Sequence, residues 1–329
     1  MIPFSILDLA PITQGNTVAD SLDMSRKMAI AAEKHNYLRF WLAEHHGMKG
    51  VASSATSVLL ANIGAATSKI RIGSGGVMLP NHSALVIAEQ FGTLAQLYPN
   101  RVDLGLGRAP GTDSKTALAL RRNMQTGAEN YPNDVLELQS YLANGVDSIE
   151  AVPGNQTFVP LWLLGSSLYS AKLAAQFGLP YSFASHFAPD QLMQALQTYR
   201  ADFKPSVQLQ TSHSMAGIMA VVADTDAEAQ YLFTSVQQQF VNMFRNVNQA
   251  FAHPVDSMNG IWSAGEKHHI EHMLQYAIVG SKKTVAFQLS RFIKATEIDE
   301  LIVSMPIYDA DARLKSLKLM AQVRDEMVG

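Results

Sequence analysis

Short apolar runs alternate with segments of helical period along almost the whole of this 329-residue chain. The runs lie at 4–9, 38–43, 70–74, 102–107, 161–164, 181–184, 215–223 and 300–304. Segments 18–35, 53–67, 83–97, 133–143, 168–177, 189–203, 225–251 and 310–327 carry helical spacing. In the first of these, Leu22, Met28, Ala29 and Ala32 mark the buried face, and Thr17 or Asp20 suits the cap. The runs are apolar nearly throughout, the pattern of a parallel sheet covered on both faces. Eight such strands with helices between them predict a closed (β/α)₈ TIM barrel. An open doubly wound sheet would place a glycine fingerprint after its first strand, and none follows residue 9. Barrels of this kind reach ~250 residues or more as one unit, so 1–329 is expected to form a single domain. Two segments, 108–158 and 252–280, exceed ordinary barrel loops and are expected as insertions and lids at the C-terminal face.

Charge and composition narrow the function classes. Lysine and arginine number 25 against 28 acidic residues, a net charge of −3 with no block of one sign. Nucleic acid and a polybasic membrane contact are therefore not expected as partners. The chain has no cysteine, which removes disulfides, thiolate metal sites and a cysteine nucleophile. The first residues lack a basic leader, and no apolar run reaches the ~18 residues of a membrane span. A cytoplasmic location is the expectation.

In this fold, chemistry gathers just past the C-terminal ends of the strands. Reading only those positions yields Glu44-His45-His46, Gly75-Gly76, Arg108, Gly165-Ser166-Ser167 with Tyr169 and Ser170, Ser185-His186, and Tyr308. Ser166, Ser167 and Ser170 open a helix. They read either as an ordinary cap or as an anion site built on free amides. Arg108 reads alone as a surface ion-pair partner, but beside that loop it supplies a fixed positive charge for one phosphate. His45 is either a structural imidazole or a proton-handling group. Glu44, His45 and His46 are adjacent, so an extended backbone sends them to alternate sides and no single ion collects all three. His268 and His272 share a helix face but lack the glutamate order of a zinc protease, and no metal site is assigned. Gly75-Gly76 reads as a tight turn that allows close ligand approach.

Three stretches, 39–113, 161–187 and 279–304, resemble the bacterial-luciferase-like family of flavin-dependent oxidoreductases. The carrying motifs are EHH at 44–46, GGVMLPNH at 75–82, NRVDLGLGR at 100–108 and LGSSLYS at 164–170. The resemblance implies a flavin at the barrel mouth, in many relatives reduced FMN delivered by a separate reductase, which uses O₂ to oxidise a small, apolar organic substrate. It implies that Arg108 and Ser166, Ser167 and Ser170 hold the phosphate. It places His45 beside the reactive edge, and Gly75–Gly76 where relatives carry a non-proline cis bond under the ring. Glu44 and His46 match the motif. Gly107 stands where light-emitting α subunits carry a reactive cysteine, so the chain reads as a monooxygenase without light emission. Relatives dimerise through helices around 53–67, so a homodimer is expected. Met258, Ile261 and Trp262 in the second long segment suit either an apolar substrate or packing on the rim. The rival readings are a deazaflavin-dependent oxidoreductase on the same barrel, a non-catalytic flavin-binding companion, and a zinc hydrolase.

Overall fold

A computed structural model of the chain describes residues 2–109, 111–120 and 129–327, so Pro110 lies outside the described residues. The strands are β1 (Phe4–Asp8), β2 (Arg39–Leu42), β3 (Arg71–Met78), β4 (Val102–Gly107), β5 (Leu161–Gly165), β6 (Tyr181–Phe183), β7 (Ser214–Ala223), β8 (Ile278–Ser281) and β9 (Glu300–Ser304). The helices are α1 (Val18–Lys34), α2 (Thr56–Ala66), α3 (Ala84–Leu97), α4 (Ser114–Leu120), α5 (Tyr131–Ala143), α6 (Leu168–Phe177), α7 (Leu192–Asp202), α8 (Asp226–Phe244), α9 (Ala264–Met273), α10 (Lys282–Thr296) and α11 (Ala310–Glu326).

Each strand from β1 to β7 pairs in parallel with the next, β7 pairs with β9, and β9 returns to β1. That circuit is a closed eight-stranded barrel. β7 is longer than the ring needs. Its Met215–Met219 stretch pairs with β9, while Ala220–Ala223 continues outward to pair with β8, which therefore lies outside the barrel. Side chains alternate with period two along each strand. Leu7, Trp41, Trp162, Met215 and Ile302 fill the interior, while Phe4, Ile6, Phe40 and Leu42 join the layer between barrel and helices.

The N-terminal end of the barrel is closed by charge. Arg39 bonds Asp103 at 2.6 Å and Glu300 at 2.9 Å, Arg71 adds a second guanidinium to Asp103, and His213 meets Glu300 at 3.3 Å. Burial pushes the Glu300 carboxyl up, but His213, Arg39 and Ser5 outweigh it and hold the group below its ordinary range. Thr17 and Asp20 together form a capping box at the start of α1.

Three sequence expectations need correction. The helix expected at 225–251 ends at Phe244. The segment expected as a lid, 252–280, contains α9 and the start of β8, and it is followed by α10, which the strand pattern did not reveal. Gly75-Gly76 is no turn. It lies within β3, where the register against β4 shifts between Ser74 and Val77, and its peptide bond is cis.

Candidate active site at the barrel mouth

A cavity of about 410 Å³ opens at the C-terminal ends of the strands, and His45, Gly75, Gly76, Arg108, Ser166, Ser167 and Ser170 all line it. The topology gathers residues that are 125 positions apart in sequence, from His45 to Ser170.

One corner is rich in unused donors. Arg108 follows β4 and lays its guanidinium over the Tyr169 ring, 4.1 Å from the centroid. It has no ion-pair partner among the described residues. Opposite it, α6 begins at Ser167 with extended dihedrals and no side-chain cap. The cap reading of this loop is thus not what the hydroxyls do. The Leu168 amide is capped by Gln191 Oε1 at 3.1 Å, while Ser166, Ser167 and Tyr169 line the cavity at the start of the helix, where the dipole favours negative charge. Ser170 differs. Its hydroxyl donates to Ser167 O at 2.9 Å and sits 3.2 Å from the Tyr181 hydroxyl, tucked over Gly165, where a Cβ would collide with it.

The floor beside this corner is bare backbone. A Cβ on Gly76 would lie 2.8 Å from Gly105 O, and one on Gly75 would lie 2.7 Å from Leu7 Cδ1. Neither position has room for a side chain, so a flat ligand can approach the peptide directly.

His45 follows β2. Its Nδ1 is 3.2 Å from Gly111 O, and its own N–H donates to Ser53 O. Burial pushes its pKa down, against the opposing pull of Gly111 O and Glu44. The ring is therefore neutral near pH 7. A carbonyl can only accept, so the proton resides on Nδ1 and Nε2 carries a free lone pair.

Glu44 and His46 lie away from His45, as alternation requires. Their partnership with His82 was not legible in the sequence. Both imidazole Nε2 atoms lie 2.8 Å from Glu44 Oε1, and the Met78 amide donates to Oε2 at 3.1 Å. Burial pushes the Glu44 carboxyl up, and the bonds from His82, His46 and Met78 more than reverse it. The donor atoms of Glu44, His46 and His82 fall within 4.8 Å of one another, close enough for a cation. The two imidazoles already satisfy the carboxylate, and the network reads as a brace between β2 and the segment after β3. His268 and His272 do not converge: His272 instead pairs with Asp190 at 2.5 Å on the surface.

The apolar walls come from other residues than expected. Met258 is buried in a second core with Phe233, Ile270 and Val279, and Ile261 and Trp262 pack against it. Of the two readings of these three residues, rim packing is the one the structure bears. The cavity is lined instead by Met48 and Val51 after β2, by Val236, Phe240 and Met243 of α8, and by Phe251. The 47–51 and 248–251 segments are stitched together, with Asn248 donating to Gly47 O and accepting from the Lys49 amide. Asp8 and Arg313, a buried pair at 2.5 Å, neutralise each other at the same cavity. His186, after β6, also lines it. Its place at a strand end was readable, but nothing in its local sequence singled it out.

Relatives share this architecture. A family model described as luciferase-like monooxygenase matches residues 2–299. A luciferase-like monooxygenase of Escherichia coli strain K12 is 48% identical over 330 residues, covering 100% of this chain and 98% of the relative. Among solved structures, apo-MsnO8 superposes with a TM-score of 0.88 at 32% identity, over 99% of each chain. Two more distant structures share the fold alone. One is the oxygenating constituent of 3,6-diketocamphane monooxygenase from Pseudomonas putida in complex with FMN, at TM-score 0.72, 16% identity and coverage of 98% and 97%. The other is an F420-dependent secondary alcohol dehydrogenase, at TM-score 0.71, 14% identity and 98% coverage of each chain. A closed parallel barrel, a mouth built from the EHH, glycine and LGSSLYS segments, and full-length similarity agree that the chain belongs to the luciferase-like monooxygenase family.

Proposed function

We propose that this chain is an FMN-dependent monooxygenase that uses reduced FMN and O₂ to oxidise a small, largely apolar organic molecule, acting as one domain over 1–329. The observation that carries FMN is the donor-rich corner: Arg108, with no ion-pair partner among the described residues, stacks on Tyr169 at the start of α6, where Ser167 makes no side-chain cap. A phosphate fits there because the guanidinium, the Ser166 and Ser167 hydroxyls and the positive end of the α6 dipole all favour an anion. The side-chain-free floor at Gly75–Gly76 suits a flat ring. When bound, the reduced flavin supplies the electrons that activate oxygen.

The protein's own part is to bind, orient and keep dry. Ser166 and Ser167 add hydroxyls at the phosphate corner, and Ser170 steadies the loop. His45 presents a bare Nε2 lone pair to the cavity and accepts a proton there, with Nδ1 held by Gly111 O. Met48, Phe240, Met243 and Phe251 exclude water from the reacting centre. The absence of any helix long and apolar enough to cross a membrane, among the described residues, fits a cytoplasmic enzyme. Reduced FMN would come from a separate reductase, and a homodimer is the assembly we infer.

The test is a titration of wild type and Arg108→Ala with FMN and with riboflavin. Loss of a charge-assisted contact, about 1.5–3 kcal/mol, predicts roughly 10- to 100-fold weaker FMN binding and riboflavin binding within about threefold. Equal weakening of both ligands would remove Arg108 from the phosphate. A parallel titration with a deazaflavin decides between the two cofactor classes. Oxygen uptake over aldehydes, alkanes, ketones and sulfonates then identifies the substrate class.

A further inference from the structure

The residues assigned to the flavin come from one half of the barrel. His45, Gly75–Gly76, Arg108 and the serine loop follow β2, β3, β4 and β5. On the other half of the mouth, the described residues lining the cavity leave three buried polar atoms without a hydrogen-bond partner: Asp8 Oδ2 on β1, His186 Nδ1 after β6 and Gln239 Oε1 on α8. His186 follows β6, and its Nδ1 is buried with no hydrogen-bond partner. The ring is seated on Gly217 of β7. A Cβ there would lie 2.5 Å from His186 Nδ1 and 3.2 Å from Cε1, so the glycine makes the place for the imidazole. Ser185 locks the adjoining backbone by donating to Gly217 O at 2.7 Å, and Phe187 packs edge-on against the ring at 4.8 Å.

A buried N–H without a partner is rarer than a buried lone pair without one. Nδ1, sealed against Gly217, is therefore the bare nitrogen, and the ring proton resides on Nε2, the remaining polar atom of a ring that lines the cavity. Burial pushes the His186 pKa down to about 4, and the nearby His45 pushes the same way, so the ring is neutral near pH 7. A neutral imidazole with its proton on Nε2 is a hydrogen-bond donor in an apolar wall formed with Phe183, Met219 and Phe240.

We propose that His186 is a substrate-specificity residue whose Nε2–H donates to a carbonyl-type oxygen of the substrate, so that the site takes apolar molecules carrying a ketone, ester or amide group. The inference rests on the flavin reading only in assigning the opposite half of the mouth to the cofactor. Gly217 is the second element of the site, because it sets the position of the ring without touching polar chemistry.

The test uses the full chain reconstituted with oxidised FMN and two isosteric probes, cyclohexanone and cyclohexane. Binding is read by flavin absorbance and by thermal shift. In His186→Leu the ratio of cyclohexanone to cyclohexane affinity falls about tenfold from wild type. His186→Gln, whose amide reaches the Nε2 position, retains the ratio, while His186→Asn, which reaches only the Nδ1 position, loses it. Gly217→Ala, which displaces the ring, lowers it as well. An unchanged ratio in both His186→Leu and His186→Asn overturns the proposal, and if the leucine variant does not fold, the glutamine–asparagine comparison decides. A tenfold loss of FMN affinity with the ratio intact also overturns it, by making His186 a cofactor contact. Should wild type bind no FMN, the flavin reading fails, while the thermal-shift ratio on the flavin-free protein still decides His186.

Discussion

His45 and His186 are both neutral histidines at one cavity, yet their free nitrogens differ. Gly111 O fixes the proton of His45 on Nδ1 and leaves a lone pair, whereas His186 has only a glycine behind its Nδ1. His45 is thus the acceptor. His45→Ala is expected to bind FMN within a few-fold of wild type, while substrate oxidation drops by about 10²–10⁴-fold and hydrogen peroxide release rises. Unchanged coupling of product to oxygen would take His45 out of the mechanism. His186 also predicts an acid limb in stability. Its folded pKa of about 4 lies below the ordinary 6.5 of a histidine, so the unfolded chain binds the proton more readily. The associated stability is complete above about pH 6.5 and is lost as pH falls toward 4, a span worth on the order of 2–3 kcal/mol. Urea midpoints at pH 7 and 4.5 should lie closer together in His186→Leu than in wild type. Parallel shifts in the two proteins would show that other groups set the limb.

At the scale of elements, the two ends of the barrel separate stability from chemistry. The first residues of β2, β3 and β9 place Arg39, Arg71 and Glu300 in one ion-pair network with Asp103 at the N-terminal end, away from the cavity at the mouth. Removing Arg39 leaves Glu300 with His213 and Ser5, and Asp103 with Arg71. Arg39→Met should cost about 3 kcal/mol, the scale of breaking a buried pair, without altering FMN affinity. Denaturation with urea and an FMN titration on the same variant check both halves of that statement. The alternation of apolar runs made the barrel strands legible, because strand period and burial are local properties. β8 was not legible as a separate element. Ile278 and Val279 resemble any barrel strand, and only the overrun of β7 beyond the ring gives them an edge to pair with. The helix after it did have a signal, since Val285, Leu289 and Phe292 repeat at helical spacing.

At the scale of the whole molecule, the neighbouring helices α2 and α3 each expose an apolar side chain. Val58 is 67% exposed and Val86 43%. Such exposure fits the inferred homodimer, because exposed apolar patches mark interaction sites. Val58→Asp should convert a dimer at micromolar concentration to a monomer in light scattering. Wild type that is already monomeric would end the dimer reading.

Local chemistry alone reached the barrel and the strand ends that form its mouth. It reached the gathering of Arg108 and the Ser166–Ser170 loop at one cavity as well, because an arginine after one strand and serines opening the next helix need only short-range order to be recognised. Partners far apart in sequence were settled by packing. Glu44 meets His82 across 38 residues, and Gly217 seats His186 across 31, pairings that no periodicity encodes. The walls of the cavity belong to the same class. Met258 and Trp262 look like substrate-pocket residues in a long loop, but they pack into the core formed with α8, α9 and β8, and Phe240, Met243 and Phe251 line the cavity instead. Burial depends on what the rest of the chain brings alongside, and that is a property of the fold and not of the segment.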